Sequence, residues 1–288
     1  MKICLQCDRR FLSATWHCPG CGWSPSQKGE HLQFAPELAD GSDGFRAEHF
    51  SQLAAVEETH FWFRNRNRLI TWGLKEYFPQ LGNFMEIGCG TGFVLTGIRQ
   101  AFSGAALTGA ELFSQGLEFA CKRVKDAALY QMDATRLPFE AEFDCIGAFD
   151  VLEHIEEDET VLEQIYKAVK PQGGFMATVP QHPSLWSAAD VSACHKRRYT
   201  KNELAKKVTR AGFKVLRLTS FVTLLLPLFW AARKKAHGTE SIEQNREFHL
   251  GKQLNHVLED ALRLESAFIR RGINFPCGGS LFLVALKP

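Results

Sequence analysis

The sequence predicts an α/β protein built on a doubly wound, Rossmann-like sheet, with a small cysteine-rich unit ahead of it. Three observations carry this prediction. Short apolar runs alternate with stretches of helical period from Asn83 to Leu218. One run, Phe84-Met85-Glu86-Ile87, passes directly into Gly88-Cys89-Gly90-Thr91-Gly92 and then into a helix-like pattern. Four of the nine cysteines stand near the N-terminus as two C-x-x-C pairs. A chain of 288 residues has room for one large domain or two smaller ones.

The composition excludes several classes. The 45% hydrophobic and 23% charged fractions are those of an ordinary globular protein. A formal net charge of +2 gives no global pull toward nucleic acid or a membrane surface. The opening Met1-Lys2-Ile3-Cys4 puts polar groups and cysteine where a secretory signal needs an apolar core. An odd cysteine count with two close pairs argues against a disulfide framework. The expected compartment is therefore reducing and cytoplasmic.

Taken in order, residues 1–30 read as a zinc ribbon. Cys4-x-x-Cys7, ten residues, then Cys18-x-x-Cys21 offers four thiolates in two knuckles, enough to close a tetrahedral shell. Gly20 and Gly22 permit the tight second turn. A closed shell leaves no open position, so the zinc at Cys4, Cys7, Cys18 and Cys21 is expected to be structural. With no comparable cluster elsewhere, chelation is expected to loosen residues 1–30 alone. Ser24 to Asp43 is rich in Pro, Gly, Ser and charge and reads as a linker.

Residues 31–80 are expected to hold that linker and cap helices, with helical spacing from Phe45 to Phe78. Within them, His60-Phe61-Trp62-Phe63-Arg64-Asn65-Arg66-Asn67-Arg68 interleaves aromatics with arginines. Such a stretch stacks on single-stranded nucleic acid, caps a pocket while one arginine grips a carboxylate, or is an amphipathic helix with solvated arginines.

The glycine turn opens the main domain, residues 81–288. Gly88, Gly90 and Gly92 clear space for a ligand where strand enters helix. Glu86, ending the strand, repels a pyrophosphate and suits a cationic amino group. E-x-G-C-G-x-G resembles the first motif of class I S-adenosylmethionine-dependent methyltransferases. The resemblance runs from Glu58 to Lys287 and is strongest at Glu86–Gly92, Asp133 and Asp150–His154. It implies a seven-stranded methyltransferase sheet whose seventh strand lies antiparallel between the fifth and sixth.

It also implies site residues. Arg66 would take the methionine carboxylate, with Arg64 and Arg68 as alternatives. Glu111 ends the run Ala106–Glu111 about twenty residues past the turn, where a doubly wound fold places a ribose ligand. Asp133, at the end of the expected third strand Ala128–Ala134, would accept from the adenine amino group, with the Ala134 amide facing the ring. Cys89, Leu112, Asp150 and Val151 complete the implied cofactor contacts. The strand Phe143–Phe149 leads into Asp150-Val151-Leu152-Glu153-His154, which resembles small-molecule methyltransferases, including the quinone O-methyltransferase branch. It lacks the Asn/Asp-Pro-Pro-aromatic and Pro-Cys motifs of base methylation.

A helix is expected over Glu159–Lys170, stopped by Pro171 with a glycine in the left-handed cap. The fifth strand, Phe175–Pro180, leads into a loop, Gln181–Thr200, read as a substrate wall. His154 and, in that loop, His195 are the candidate general bases. Arg197 and Arg198 either hold an anionic group or pair with carboxylates. Thr200-Lys201-Asn202-Glu203 has the form of a capping box. A helical insertion occupies 218–279. Its apolar run Phe221–Ala232 is too short to span a bilayer. It reads as a lid over the acceptor pocket or, through 221–235 with Arg233, Lys234 and Lys235, as a peripheral membrane contact. Leu254, Val257, Leu258, Ala261 and Leu262 give a second amphipathic helix.

The function expected is S-adenosylmethionine-dependent O-methylation of a small or lipid-linked acceptor. Ribosomal RNA methylation and a non-catalytic cofactor-binding scaffold are the alternatives. The near-neutral charge and missing base motifs weigh against RNA, and the intact cofactor motifs against a scaffold. The acceptor and the oligomeric state are not written in the sequence.

Overall fold

The computed structural model describes residues 1–39, 47–228, 230 and 250–288. Strands β1 (Lys2–Ile3) and β2 (Arg10–Phe11) pair antiparallel beneath the cysteine knuckles. The main sheet contains β3 (Ser26–Lys28), β4 (His31–Gln33), β5 (Asn83–Ile87), β6 (Ala106–Glu111), β7 (Ala128–Gln131), β8 (Phe143–Phe149), β9 (Val169–Pro180), β10 (Lys214–Phe221) and β11 (Ser280–Leu286). Their order is β10-β11-β9-β8-β5-β6-β7-β4-β3. β11 is antiparallel to both β9 and β10, as the resemblance implied. The central strands are buried on both faces, which is why they read as near-continuous apolar runs.

Side chains alternate between two cores. Met85 and Ile87 face one layer, with Val161 and Leu162 of α5 (Asp158–Ala168) and Leu204 and Val208 of α7 (Lys201–Arg210). Phe84 faces the other. There it meets Leu69, Ile70 and Leu74 of α2 (Phe61–Tyr77), Leu95 and Ile98 of α3 (Phe93–Ala101), and Leu117 of α4 (Ser114–Arg123). Helix α1 (Ala47–Val56) precedes α2. Short α6 (Ala188–Ser192) interrupts the loop after β9, and long α8 (Lys252–Arg270) crosses α2.

Four expectations change. The predicted linker folds, because β3 and β4 form a hairpin and β4 adds parallel to β7, pairing Leu32 with Tyr130 and Gln33 with Gln131. Backbone donors and acceptors at that sheet edge are thereby satisfied. The helix α5 stops at Ala168, and the left-handed residue is Gln172 at φ +62° rather than a glycine. Gly174 is small for another reason: a Cβ there would come within 1.9 Å of the Phe78 ring. In α8, Leu258 and Leu262 are buried, whereas Leu254 and Val257 are exposed. Buried Glu259 takes both Arg64 (3.0 Å) and Arg68 (2.5 Å), so those two arginines hold helices together.

Asp144 fastens the lower end of β5. Its carboxylate accepts from the amides of Gly82 (2.8 Å) and Asn83 (2.7 Å) and from Lys170 (2.6 Å). Burial alone would push its pKa up, but these donors outweigh that and hold it below the usual value. The lowered pKa contributes stability above about pH 4, which is lost as the pH falls through the folded value. Because the pair is partly exposed, Asp144→Asn should cost no more than about 1 kcal/mol at pH 7. The gap to the parent protein should shrink at pH 3, as urea unfolding at the two pH values would measure.

Candidate active site

The carboxyl ends of β5, β6, β7 and β8 open into a cavity of about 910 Å³. Open α/β sheets bind ligands at this edge. The glycine turn forms its floor. Gly88, Gly90 and Gly92 all have positive φ, at +66°, +49° and +78°. A Cβ on Gly88 would lie 2.3 Å from Val151. Gly92 instead caps α3 against Ala120 and, unlike Gly88, Cys89 and Gly90, does not line the cavity.

Glu86 is 3% exposed, and its Oε2 has no hydrogen-bond partner among the described residues. Burial raises its pKa well above the usual carboxylate range, against the pull of Arg66. An acidic oxygen left without a partner beside a glycine turn fits a cationic ligand group. Arg66 lies across the cavity, ion-paired with Asp150 and stacked 4.5 Å from the Trp62 ring. Asp150 sits at φ +58° and also accepts from the Thr178 hydroxyl at 2.9 Å.

Glu111 gathers the turn. It accepts from the amides of Gly90 (3.0 Å), Leu112 (2.8 Å) and Phe113 (3.2 Å). Burial pushes its pKa up, and the three amides pull it partly back. Asp133, after β7, accepts from the Thr135 amide (2.8 Å) and hydroxyl (2.6 Å). Glu111, Leu112, Asp133, Ala134, Asp150 and Val151 all line the cavity.

The far wall carries two histidines. The rings of His154 and His195 lie 4.7 Å apart at 81°. Both line the cavity. Burial, and then His195, lowers the His154 pKa to about 4, so its imidazole is neutral near pH 7. His195 Nδ1 lies 2.9 Å from Asp190. Lys196 donates its amide to the Glu153 carbonyl at 2.7 Å, which pins this loop against the β8 corner.

Other loop residues lie elsewhere. His182 and Trp186 do not line the cavity. Arg197 pairs with Asp158 (3.0 Å) and Arg198 with Asp190 (2.8 Å), which resolves their role as pairing with carboxylates. The lid expectation is also corrected. Leu224, Leu225, Leu226, Leu228 and Trp230 are absent from the cavity wall. Its roof comes instead from Leu38, Phe50, Leu53, Trp62 and Phe63, because α1 and α2 fold over the glycine turn. Phe229, Arg233, Lys234 and Lys235 lie outside the described residues.

Sequence reasoning missed the clamp behind the turn. The Thr91 hydroxyl donates to Glu57 at 2.6 Å, and Arg123 reaches both Glu57 (2.7 Å) and Thr91 (2.7 Å). The only local signal was an acidic residue after α1, which is common on any surface.

In the N-terminal ribbon, Cys4 and Cys21 Sγ are 3.6 Å apart, and Cys7 and Cys18 3.7 Å. All four sulfurs lie within 4.8 Å of one another. A tetrahedral zinc with bonds of about 2.3 Å needs sulfurs roughly 3.8 Å apart, so the cluster fits that ion. The Cys21 and Gly20 amides bond to Cys18 and hold its pKa down to about 6. His17 turns to Ser24 and takes no part.

Residues 85–177 match the family model described as methyltransferase domain. Malonyl-[acyl-carrier protein] O-methyltransferase of Priestia megaterium is 30% identical over 112 residues, which is 38% of this chain and 41% of that protein. Ubiquinone biosynthesis O-methyltransferase of Idiomarina loihiensis is 27% identical over 119 residues, 38% of this chain and 48% of the relative. The matched region thus spans less than half of either relative. Among solved structures, phosphoethanolamine N-methyltransferase 2 of Haemonchus contortus, in complex with S-adenosyl-L-methionine, superposes with a TM-score of 0.56 at 20% identity. That match covers 88% of this chain and 59% of the other, and it speaks to the fold.

Proposed function

We propose that this chain, a class I S-adenosylmethionine-dependent methyltransferase by its matched domain and its fold, methylates a hydroxyl of a small or lipid-linked acceptor. One observation carries the reading. One cavity joins the buried Glu86 carboxylate, whose Oε2 has no partner among the described residues, and the glycine turn to the His154–His195 pair. Names of the two curated relatives, both O-methyltransferases, support the oxygen acceptor.

S-adenosylmethionine supplies an activated sulfonium methyl when bound. Everything else falls to the chain's own residues. Glu86 and Arg66 would hold the two ends of the amino-acid group, Glu111 the ribose hydroxyls and Asp133 the adenine amino group. The roof of Phe50, Trp62 and Phe63 excludes water. The histidine pair faces the acceptor end, where a neutral imidazole takes a hydroxyl proton as oxygen attacks in line. The four cysteines would carry one structural zinc. Exposed Leu224, Leu228 and Trp230 keep open a peripheral membrane contact, which would suit a lipid-linked acceptor.

Mass spectrometry of the freshly purified chain should find S-adenosylhomocysteine bound. Incubation with labelled cofactor and hydroxylated aromatic acceptors should transfer the label to oxygen. By calorimetry, Asp133→Ala should weaken cofactor binding by about 1–2 kcal/mol. Glu111→Ala should weaken it at least as much, because it also frees the Gly90 loop. Unchanged affinity in both variants would mean that the cofactor lies elsewhere.

A further inference from the structure

The geometry points to a divalent-cation site at the acceptor end of the cavity, formed by Glu153, His154 and His195. One ligand atom from each lies within 4.8 Å of the other two. Two imidazole nitrogens and a carboxylate oxygen are a donor set for zinc, manganese or ferrous iron.

The second observation is independent of the clustering. Glu153 is fully buried, and among the described residues neither carboxylate oxygen has a hydrogen-bond partner. A buried carboxylate in that state is costly unless a cation meets it. The nearby guanidinium groups are engaged elsewhere, Arg66 with Asp150 and Arg198 with Asp190. His195 is also held as metal-bound histidines are, with Nδ1 on the Asp190 carboxylate and Nε2 left to bind. Three protein ligands leave open positions on the ion, and His154 and His195 border the cavity that supplies an acceptor to fill them.

The inference rests on the methyl-transfer reading and changes its proton step. A cation binding the acceptor hydroxyl lowers its pKa, so the proton leaves to solvent without either imidazole taking it. The oxygen anion then forms the new O–CH₃ bond as the S–CH₃ bond breaks, and the sulfonium leaves as a neutral thioether. Acceptors with two adjacent oxygen donors would be favoured, since both can occupy the open positions.

The test uses the full chain with its cysteine cluster loaded with zinc. Manganese(II) is the probe, because it prefers oxygen and nitrogen to thiolate. Electron paramagnetic resonance should count one bound manganese per chain. Glu153→Gln and His195→Ala should each weaken that binding at least tenfold, while S-adenosylhomocysteine affinity measured by calorimetry stays within twofold. The same two variants should flatten the dependence of turnover on added metal. Manganese affinity equal in the parent and both variants overturns the site. Should Glu153→Gln fail to fold, His195→Ala, on a surface loop, decides alone. Loss of cofactor binding in the parent itself would strike the methyl-transfer reading instead and leave the metal count to stand or fall separately.

Discussion

Replacing Cys18 with serine should weaken cofactor binding as well as unfold the N-terminal ribbon. Cys18 is 1% exposed and belongs to the same core as Trp16, Phe34, Tyr130 and Phe139. Trp16 makes edge-on contacts with those three rings at 4.6, 5.8 and 5.4 Å. β4 pairs with β7, and the Phe34 amide donates to the Gln131 carbonyl at 2.7 Å. The Gln131 side chain then bonds Ala35 (2.8 Å) and Leu112 (2.9 Å). Two of its neighbours in sequence, Asp133 and Ala134, line the cavity, as does Leu112. Loss of an ion bound there would therefore free the edge that carries Asp133, Ala134 and Leu112, the residues proposed to meet the cofactor. Structural zinc contributes on the order of 10 kcal/mol to folding in isolated finger peptides. Even a third of that here would lower the melting temperature by several degrees. A tenfold or greater loss of S-adenosylhomocysteine affinity is expected in Cys18→Ser, read by calorimetry beside elemental zinc analysis. A zinc-free variant that melts and binds cofactor like the parent would mean that the ribbon is an independent module.

This coupling illustrates what the sequence could and could not display. The central strands were legible because burial on both faces writes itself as apolar runs. β8 has the expected ends, Phe143–Phe149. The glycine turn was legible because positive φ at Gly88, Gly90 and Gly92 admits few other residues. The β3–β4 hairpin was hidden. Its two strands have three residues each and derive their stability from β7, about a hundred residues away in the chain. The cavity roof was hidden for a similar reason, since nothing near Phe50 or Trp62 records which loop they cover. Arg66 stood out only through the resemblance. Its pairing with Asp150, and the diversion of Arg64 and Arg68 to Glu259, depend on how α2 meets β8 and α8. The insertion misled because its apolar run was assigned to the pocket by composition. Glu265 instead ties the start of that run down at the amides of Thr223 (2.7 Å) and Leu224 (2.9 Å), away from the cavity wall.

Asp190 was visible in the sequence only as one polar residue in a long loop, yet its removal should have the larger effect on turnover. It is 1% exposed and collects four donors. Oδ1 faces His195 Nδ1 (2.9 Å) and Arg198 Nε (2.8 Å), and Oδ2 accepts from the Ser187 amide (2.9 Å) and hydroxyl (3.1 Å). Asp190→Ala would leave the buried Arg198 charge without its carboxylate, at a cost of roughly 3–5 kcal/mol. It would also remove the Asp190 half of the capping box that Ser187 begins at α6, at a further cost of up to about 1 kcal/mol. Stability and turnover should both fall, whereas cofactor affinity should hold because Glu86, Glu111 and Asp133 stand on other loops. A double variant, Asp190→Asn with Arg198→Met, separates structure from chemistry. It keeps the side-chain shape at 190 and removes the charge that needed neutralising, so most of the stability should return. His195 would then face an amide in place of a carboxylate. Loss of such an orienting carboxylate costs about 10–100-fold where a histidine serves a metal or a reaction. Turnover should therefore stay at least tenfold below the parent while the thermal melt recovers. If turnover instead recovered together with the melt, Asp190 would be a packing residue, and His195 would need no orientation to do its work.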